Sequence, residues 1–175
     1  AIMAEVDYSI ELISGIYEIQ PNRTGAAALL KNMELLGPIN YSKDELKYAK
    51  TIQRETDKPA EGMDADIESL RETLPAQGGS TDVGDVSQIV PVVRARITAA
   101  PKDVPWHSWA VVACTGMSIG HKGMLFAAKS LSMTMVDLFE NPKLVKEIKA
   151  EFKKRKGDKV YKAMIPEGPP PIPRN

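Results

Sequence analysis

Apolar and polar residues alternate strictly along Glu5-Val6-Asp7-Tyr8-Ser9-Ile10-Glu11-Leu12, which predicts a strand with one wet face. The period then changes. Asn22 or Thr24 can cap a helix that the apolar spacing carries to about Leu36. Gly37-Pro38 stops it, Gly by tolerating the left-handed conformation and Pro by refusing to continue the helix. Ser42-Lys43-Asp44-Glu45 is a capping box, and Leu46, Ala49 and Ile52 share one face of the helix it opens. Residues 57–80 are loop-like, punctuated by Pro59, Gly62, Pro75, Gly78 and Gly79 and made acidic by Glu61, Asp64, Asp66 and Glu68; a short helix fits around Asp64 to Glu72. Connections this long are usually functional or partly disordered.

Ile89 to Ile97 is β-rich, with Pro91 marking an edge strand or a bulge. Trp106 to Cys114 is a second strand candidate, and Gly116 to Gly123 a glycine-rich turn. Met124 to Phe139 has helical spacing, Asn141-Pro142 opens a further helix to about Lys156, and the residues around Glu167 to Pro173 form an extended tail. Strands and helices alternating in the second half predict an α/β chain.

The length of 175 residues suits one domain, and 43% hydrophobic with 26% charged residues is near the globular average. Lys plus Arg balances Asp plus Glu, so neither nucleic acid nor an anionic membrane is an expected partner. No apolar run approaches the ~20 residues of a membrane span. The N-terminus lacks the pattern of a signal peptide, which points to a cytoplasmic protein, and it starts so close to a strand that the chain reads as cut from a longer protein. Cys114 is the single cysteine, so disulfides within the chain and Cys-rich zinc sites are excluded; it reads as a buried thiol in a strand.

Gly116-Met117-Ser118-Ile119-Gly120 matches the pattern of a nucleophile elbow, preceded by a strand candidate and followed by a helix. That chemistry needs a histidine after the serine with an acid between them. His107 precedes Ser118, His121 follows too closely to leave room for the acid, and no later histidine exists. The glycines then serve a tight turn into a helix. His121, in Gly120-His121-Lys122-Gly123, sits at a helix start, where the positive end of the dipole favours the neutral imidazole a metal needs; a capping or core role is the alternative. His107, between Trp106 and Trp109, either packs among aromatics or faces a substrate, and Ser108 points to the opposite face if the segment is a strand. Asp82 and Asp85 either cap turns or contact substrate and support a metal ligand from behind. A dinuclear zinc site needs several imidazoles and carboxylates, and no His-x-Asp and no Glu-Glu pair is present, so this chain alone is not expected to assemble one.

Gly79-Ser-Thr-Asp-Val-Gly-Asp-Val-Ser87, then Pro91, His107-Ser-Trp109 and Ser118-Ile-Gly-His-Lys-Gly-Met124, in that order, resemble the aminobenzoyl-glutamate utilisation protein B group of dinuclear zinc aminoacylases and carboxypeptidases. The resemblance implies part of a three-layer α/β zinc-exopeptidase-like catalytic domain, with a strand left over from an inserted, dimerising lid domain. Residues 1–16 would be that last lid strand, residues 17–157 the C-terminal part of the catalytic domain, and residues 158–175 a Pro-rich tail. By position, His121 matches a metal ligand, Asp82 falls near a substrate-contacting Glu-Asp-Phe motif, His107 and Ser108 belong to a His-Ser-Trp substrate wall, and Thr81 and Asp85 would steady the groups that touch metal or substrate. The sequence has Pro105-Trp106-His107 where Pro-Gly-His is expected, which changes that wall. The implied activity is zinc-dependent hydrolysis of amides of amino acids such as p-aminobenzoyl-glutamate. Two zinc ions serve the full-length family, with none necessarily held by this chain alone. The implied partners are a small amide or dipeptide-like substrate and the missing N-terminal half, with self-association expected to cover apolar faces. The alternative is a truncated, non-catalytic domain acting as a structural or interaction module through its acidic loop and Pro-rich tail.

Overall fold

A computed structural model describes residues 3, 5–71 and 79–169 of the chain. Six helices follow one another: α1 (Arg23–Leu36), α2 (Lys43–Glu55), α3 (Val83–Val86), α4 (Trp109–Thr115), α5 (Ser118–Glu140) and α6 (Pro142–Lys156). No strand occurs among the described residues. The expected α/β three-layer fold with a leftover lid strand is therefore not what this chain forms. The alternating segment from Val6 to Ile13 is exposed, with no ladder beside it; in the run from Ile89 to Ile97, Ile89 and Val90 close the turn after α3 by donating to the Val86 carbonyl, and no ladder forms. Alternation supplies the wet and dry faces of a strand, but a strand exists only when a neighbour takes its N–H and C=O groups.

The helices with local stop and start signals form where the spacing predicts them. Asn22 caps α1, accepting from the Gly25 N–H, while its Nδ2 donates 2.9 Å to the carbonyl of Ile148 on α6. Gly37 closes α1 with φ +71°, a conformation that a side chain resists. Ser42 and Glu45 form the complete capping box of α2. Asn141 caps α6, with Pro142 in its first turn and Lys153, Lys154, Arg155 and Lys156 in its last, where cations complement the helix dipole.

The second half departs from expectation at α4. The run Trp109 to Cys114 is a helix, and Ala110 and Cys114 are its fully buried residues. A spacing of four is one helical face, whereas a strand would bury every second residue. The thiol is buried, as expected, but on a helix. Gly116 to Gly123 is not a turn throughout, because α5 begins at Ser118 and takes in Gly120 and Gly123. A Cβ on Gly120 would run into the backbone of Thr115, and one on Gly123 would lie 2.5 Å from the carbonyl oxygen of Thr98. Residues 64–71 form no helix; Glu72, Pro75 and Gly78 lie outside the described residues, as do residues 170–175 of the tail.

Two buried clusters hold the helices. Ile52 of α2 packs with Val104, Ala110 and Cys114, flanked by Tyr48, Ala100, Val111 and Ala113. Gln53, buried beside them, accepts from the Gly62 N–H at 2.7 Å and donates to the carbonyls of Gly62 and Lys102, which ties the 57–63 turn to the 101–104 turn. The second cluster joins α1, α5 and α6. Leu29 and Ile148 supply apolar contact, and Asn32 donates from Nδ2 to Thr134 Oγ1 and Asp137 Oδ2 on α5. Among the described residues no helix is long and apolar enough to cross a membrane.

Candidate functional site

The residues singled out from the sequence fall in three places. His121 occupies the second turn of α5, its N–H bonded to the carbonyl of Met117, its side chain exposed. No hydrogen bond or ion pair holds its ring among the described residues. Its neighbours are fixed firmly. Lys122 reaches back to the start of α2, donating 2.6 Å to Glu45 Oε2 and 2.7 Å to the carbonyl of Asn40, with its ammonium 5.8 Å from the centre of the Tyr41 ring. Glu45 thus serves two ends at once, because the same Oε2 accepts from the Ser42 N–H at 2.6 Å. Hydrogen bonds from Lys122, Ser118 and Ser42 pull its carboxyl down to about 2 against a modest opposing effect of burial. Burial, with Glu45 and Asp64 nearby, raises the Tyr41 hydroxyl to about 12.

Thr81, Asp82 and Asp85 lie on and before α3. This short helix acts as a strap. Asp85 Oδ2 accepts from the Tyr17 N–H at 3.3 Å, and Oδ1 accepts from the Tyr161 hydroxyl at 3.0 Å. The two tyrosine rings stand 5.5 Å apart, and the Tyr17 hydroxyl donates to the carbonyl of Lys162. Ser87, fully buried, accepts from the Gln20 N–H at 2.8 Å and donates to the carbonyl of Gly84. Gly84 touches the Tyr17 carbonyl so closely that no side chain fits there. Asp85 and Ser87 thereby fasten both the segment entering α1 and the segment leaving α6. Asp82 is exposed and makes no capping bond from its side chain to the α3 N–H groups; Thr81 Oγ1 accepts from the Val83 N–H at 3.3 Å.

His107 stands on the loop before α4, exposed, in the left-handed region at φ +60°. A non-glycine residue there costs on the order of 1 kcal/mol or more. Ser108 occupies the N-cap position of α4, but its hydroxyl donates back to the carbonyl of Pro105 at 2.5 Å. His107 and Ser108 therefore do not project from alternate faces of a strand.

Among the described residues no three His, Cys, Asp or Glu side chains gather closely enough to hold a metal. His121 offers one exposed imidazole, which suits a ligand but not a complete zinc site. What the sequence did not signal is the Glu45–Lys122 link; the capping box identified Glu45, but its partner lies far along the chain. Tyr17 and Tyr161 were equally silent, because their role is set by Asp85 across the fold.

Comparison with known proteins adds a relative. The chain is similar to the B subunit of p-aminobenzoyl-glutamate hydrolase from Escherichia coli (strain K12), 29% identical over an alignment of 198 residues that takes in 99% of this chain and 41% of the relative. The resemblance read from the motifs thus extends over almost the whole chain, and the chain spans about two-fifths of the relative's length. No protein-family model matches the chain. No solved structure matches it.

Proposed function

We propose that this chain is the C-terminal portion of a zinc-dependent amidohydrolase that cleaves amides joining an acyl or aroyl group to an amino acid, with p-aminobenzoyl-glutamate as the model substrate. The observation that carries this reading is similarity along 99% of the chain to a protein named as a subunit of p-aminobenzoyl-glutamate hydrolase. The position of His121 supports it. Its imidazole is exposed at the start of a long helix whose first turns are pinned by Lys122 to α2. A ligand needs such a fixed backbone and an uncommitted ring.

In this reading zinc is the cofactor of the assembled enzyme, His121 is one of its ligands, and His107, Ser108 and Asp82 contribute to the substrate wall. The described residues do not fit a whole zinc centre, so no hydrolytic step is assigned to them. The remaining ligands and a general base belong to polypeptide outside this chain, and the partner is the remainder of the enzyme. Asp85 acts at a distance by holding Tyr17 and Tyr161, and Thr81 steadies the start of α3.

The test combines the purified chain with the unmatched part of the Escherichia coli relative, zinc and p-aminobenzoyl-glutamate, and follows release of p-aminobenzoate by chromatography. Release is expected only from the combination, and His121→Ala is expected to lower it on the order of a hundredfold or more. An inert combination, or full activity in the variant, would refute the proposal. Zinc content of the chain alone after dialysis is expected to be well below one equivalent, because one imidazole is a weak site.

A further inference from the structure

From Met124 onward, helix α5 turns much of its large apolar surface to solvent. A surface helix turns its large apolar residues inward and its polar ones to water. Ile119 is buried in the first turn of α5, and the other buried residues are small or polar: Gly120, Gly123, Ser130 and Thr134. Ser130 donates to the carbonyl of Phe126 and Thr134 to that of Ser130, each at 2.8 Å, so their hydroxyls are satisfied within the helix. Four large apolar residues share an outward face. Met124, Leu131, Met135 and Phe139 are 61%, 48%, 56% and 81% exposed. Ala128 completes their spacing of three and four, so they form one continuous stripe, and no Asp, Glu, Lys or Arg interrupts it. His121 precedes Met124 by three and Ala128 by seven, which puts it on the same face.

We propose that this stripe is the docking surface for the polypeptide that corresponds to the unmatched part of the relative, and that the docked partner comes to lie beside His121. This rests on the functional reading above and names the surface its partner would use. In the relative, the matched region is only 41% of the length, so a longer polypeptide is available there to cover the equivalent face. Size separates this occupant from a second copy. A helix of 23 residues is about 35 Å long and about 10 Å across, which gives a strip of roughly 350 Å². Each side of a stable complex buries about 800 Å². A second copy gripping the stripe alone falls short. A longer partner can bury further surface beyond the stripe to reach that area.

The experiment mixes the full chain with the unmatched part of the Escherichia coli relative and reads stoichiometry by analytical ultracentrifugation and protection of α5 by hydrogen exchange. A one-to-one complex is expected, with α5 protected only when bound. Leu131→Lys with Met135→Lys is expected to weaken it on the order of a hundredfold or more, since a buried unpaired ammonium is costly. Both positions are half exposed, so unchanged thermal unfolding of the variant confirms that its own fold is intact. Lys146→Glu on α6 is expected to leave binding unchanged. Absence of a complex, a complex indifferent to the α5 substitutions, or a dimer of this chain that those substitutions dissolve would each overturn the proposal. Hydrolysis is measured separately: a complex formed through α5 but inert toward p-aminobenzoyl-glutamate overturns the functional reading and leaves the surface standing.

Discussion

Gly120→Ala probes the junction that places His121. A Cβ there would stand 2.6 Å from the carbonyl carbon of Thr115 and nearer still to its oxygen and Cα. All three are backbone atoms at the end of α4, so no flexible side chain can yield. Ordinary contact requires a shift of about 1 Å between α4 and α5. Overpacking of this kind costs about 1–3 kcal/mol, occasionally more. Alanine gains up to about 1 kcal/mol of helix propensity over glycine, which offsets only part of it. The net expectation is a loss of about 1–2 kcal/mol, or roughly 2–8 °C in Tm for a chain of this size. Gly116 is the internal control. It lies four residues away at φ −80°, and its nearest outside atom to a new Cβ is the Val112 carbonyl oxygen at 3.8 Å. Gly116→Ala is expected to be neutral or to stabilise by about 0.5 kcal/mol through the unfolded chain. Urea unfolding of the two variants beside the parent measures the difference. Equal stability of the two variants would show that the close approach of α4 and α5 is not what Gly120 is for.

Acid should loosen the chain in a defined window. Glu45 and Glu151 both sit near 2 when folded: Glu45 through hydrogen bonds from Lys122, Ser118 and Ser42, Glu151 because the N–H groups of Thr24 and Arg23 and the Arg155 guanidinium outweigh the upward push of burial. Depressed folded values mean that their stabilisation is complete above the ordinary value of 4.5 and drains away as pH falls from there to about 2. Each contributes on the order of 1–2 kcal/mol after allowance for solvent at the partly exposed partners. Glu45→Gln with Glu151→Gln should flatten the pH dependence of Tm below pH 4.5, and a parent-like slope in that variant would refute the assignment. Burial raises the Cys114 thiol, so the native chain should resist a thiol reagent at pH 7 and react only at the rate of unfolding. Rapid labelling of the native protein would contradict the packing of α4 on α2.

The parts of the fold legible in the sequence were those whose signals close over three or four residues. Asn22 with Gly25, Ser42 with Glu45, Gly37, and Asn141 with Pro142 make their bonds within one turn, so the residue types alone mark α1, α2 and α6. The Trp109 to Cys114 run carried no such signal. A short apolar run is compatible with either helix or strand, and burial of Ala110 and Cys114 together is decided by Ile52 and Val104, which pack on them from elsewhere. The 5–12 and 89–97 segments failed as strands for the converse reason: their pattern was right, but among the described residues no neighbouring strand pairs with them. Among the candidate site residues, the sequence marked His121 as an imidazole beside a helix start, with a capping or core role as the alternative, and set Ser118 aside as a nucleophile for want of a triad. Only the tertiary structure revealed that Lys122 serves Glu45, that Asp85 and Ser87 fasten the segment entering α1 while Asp85 also holds Tyr161 beyond α6, and that α5 presents a large apolar stripe to solvent. Those facts join residues far apart along the chain, and such contacts depend on how helices stack, which local spacing does not encode.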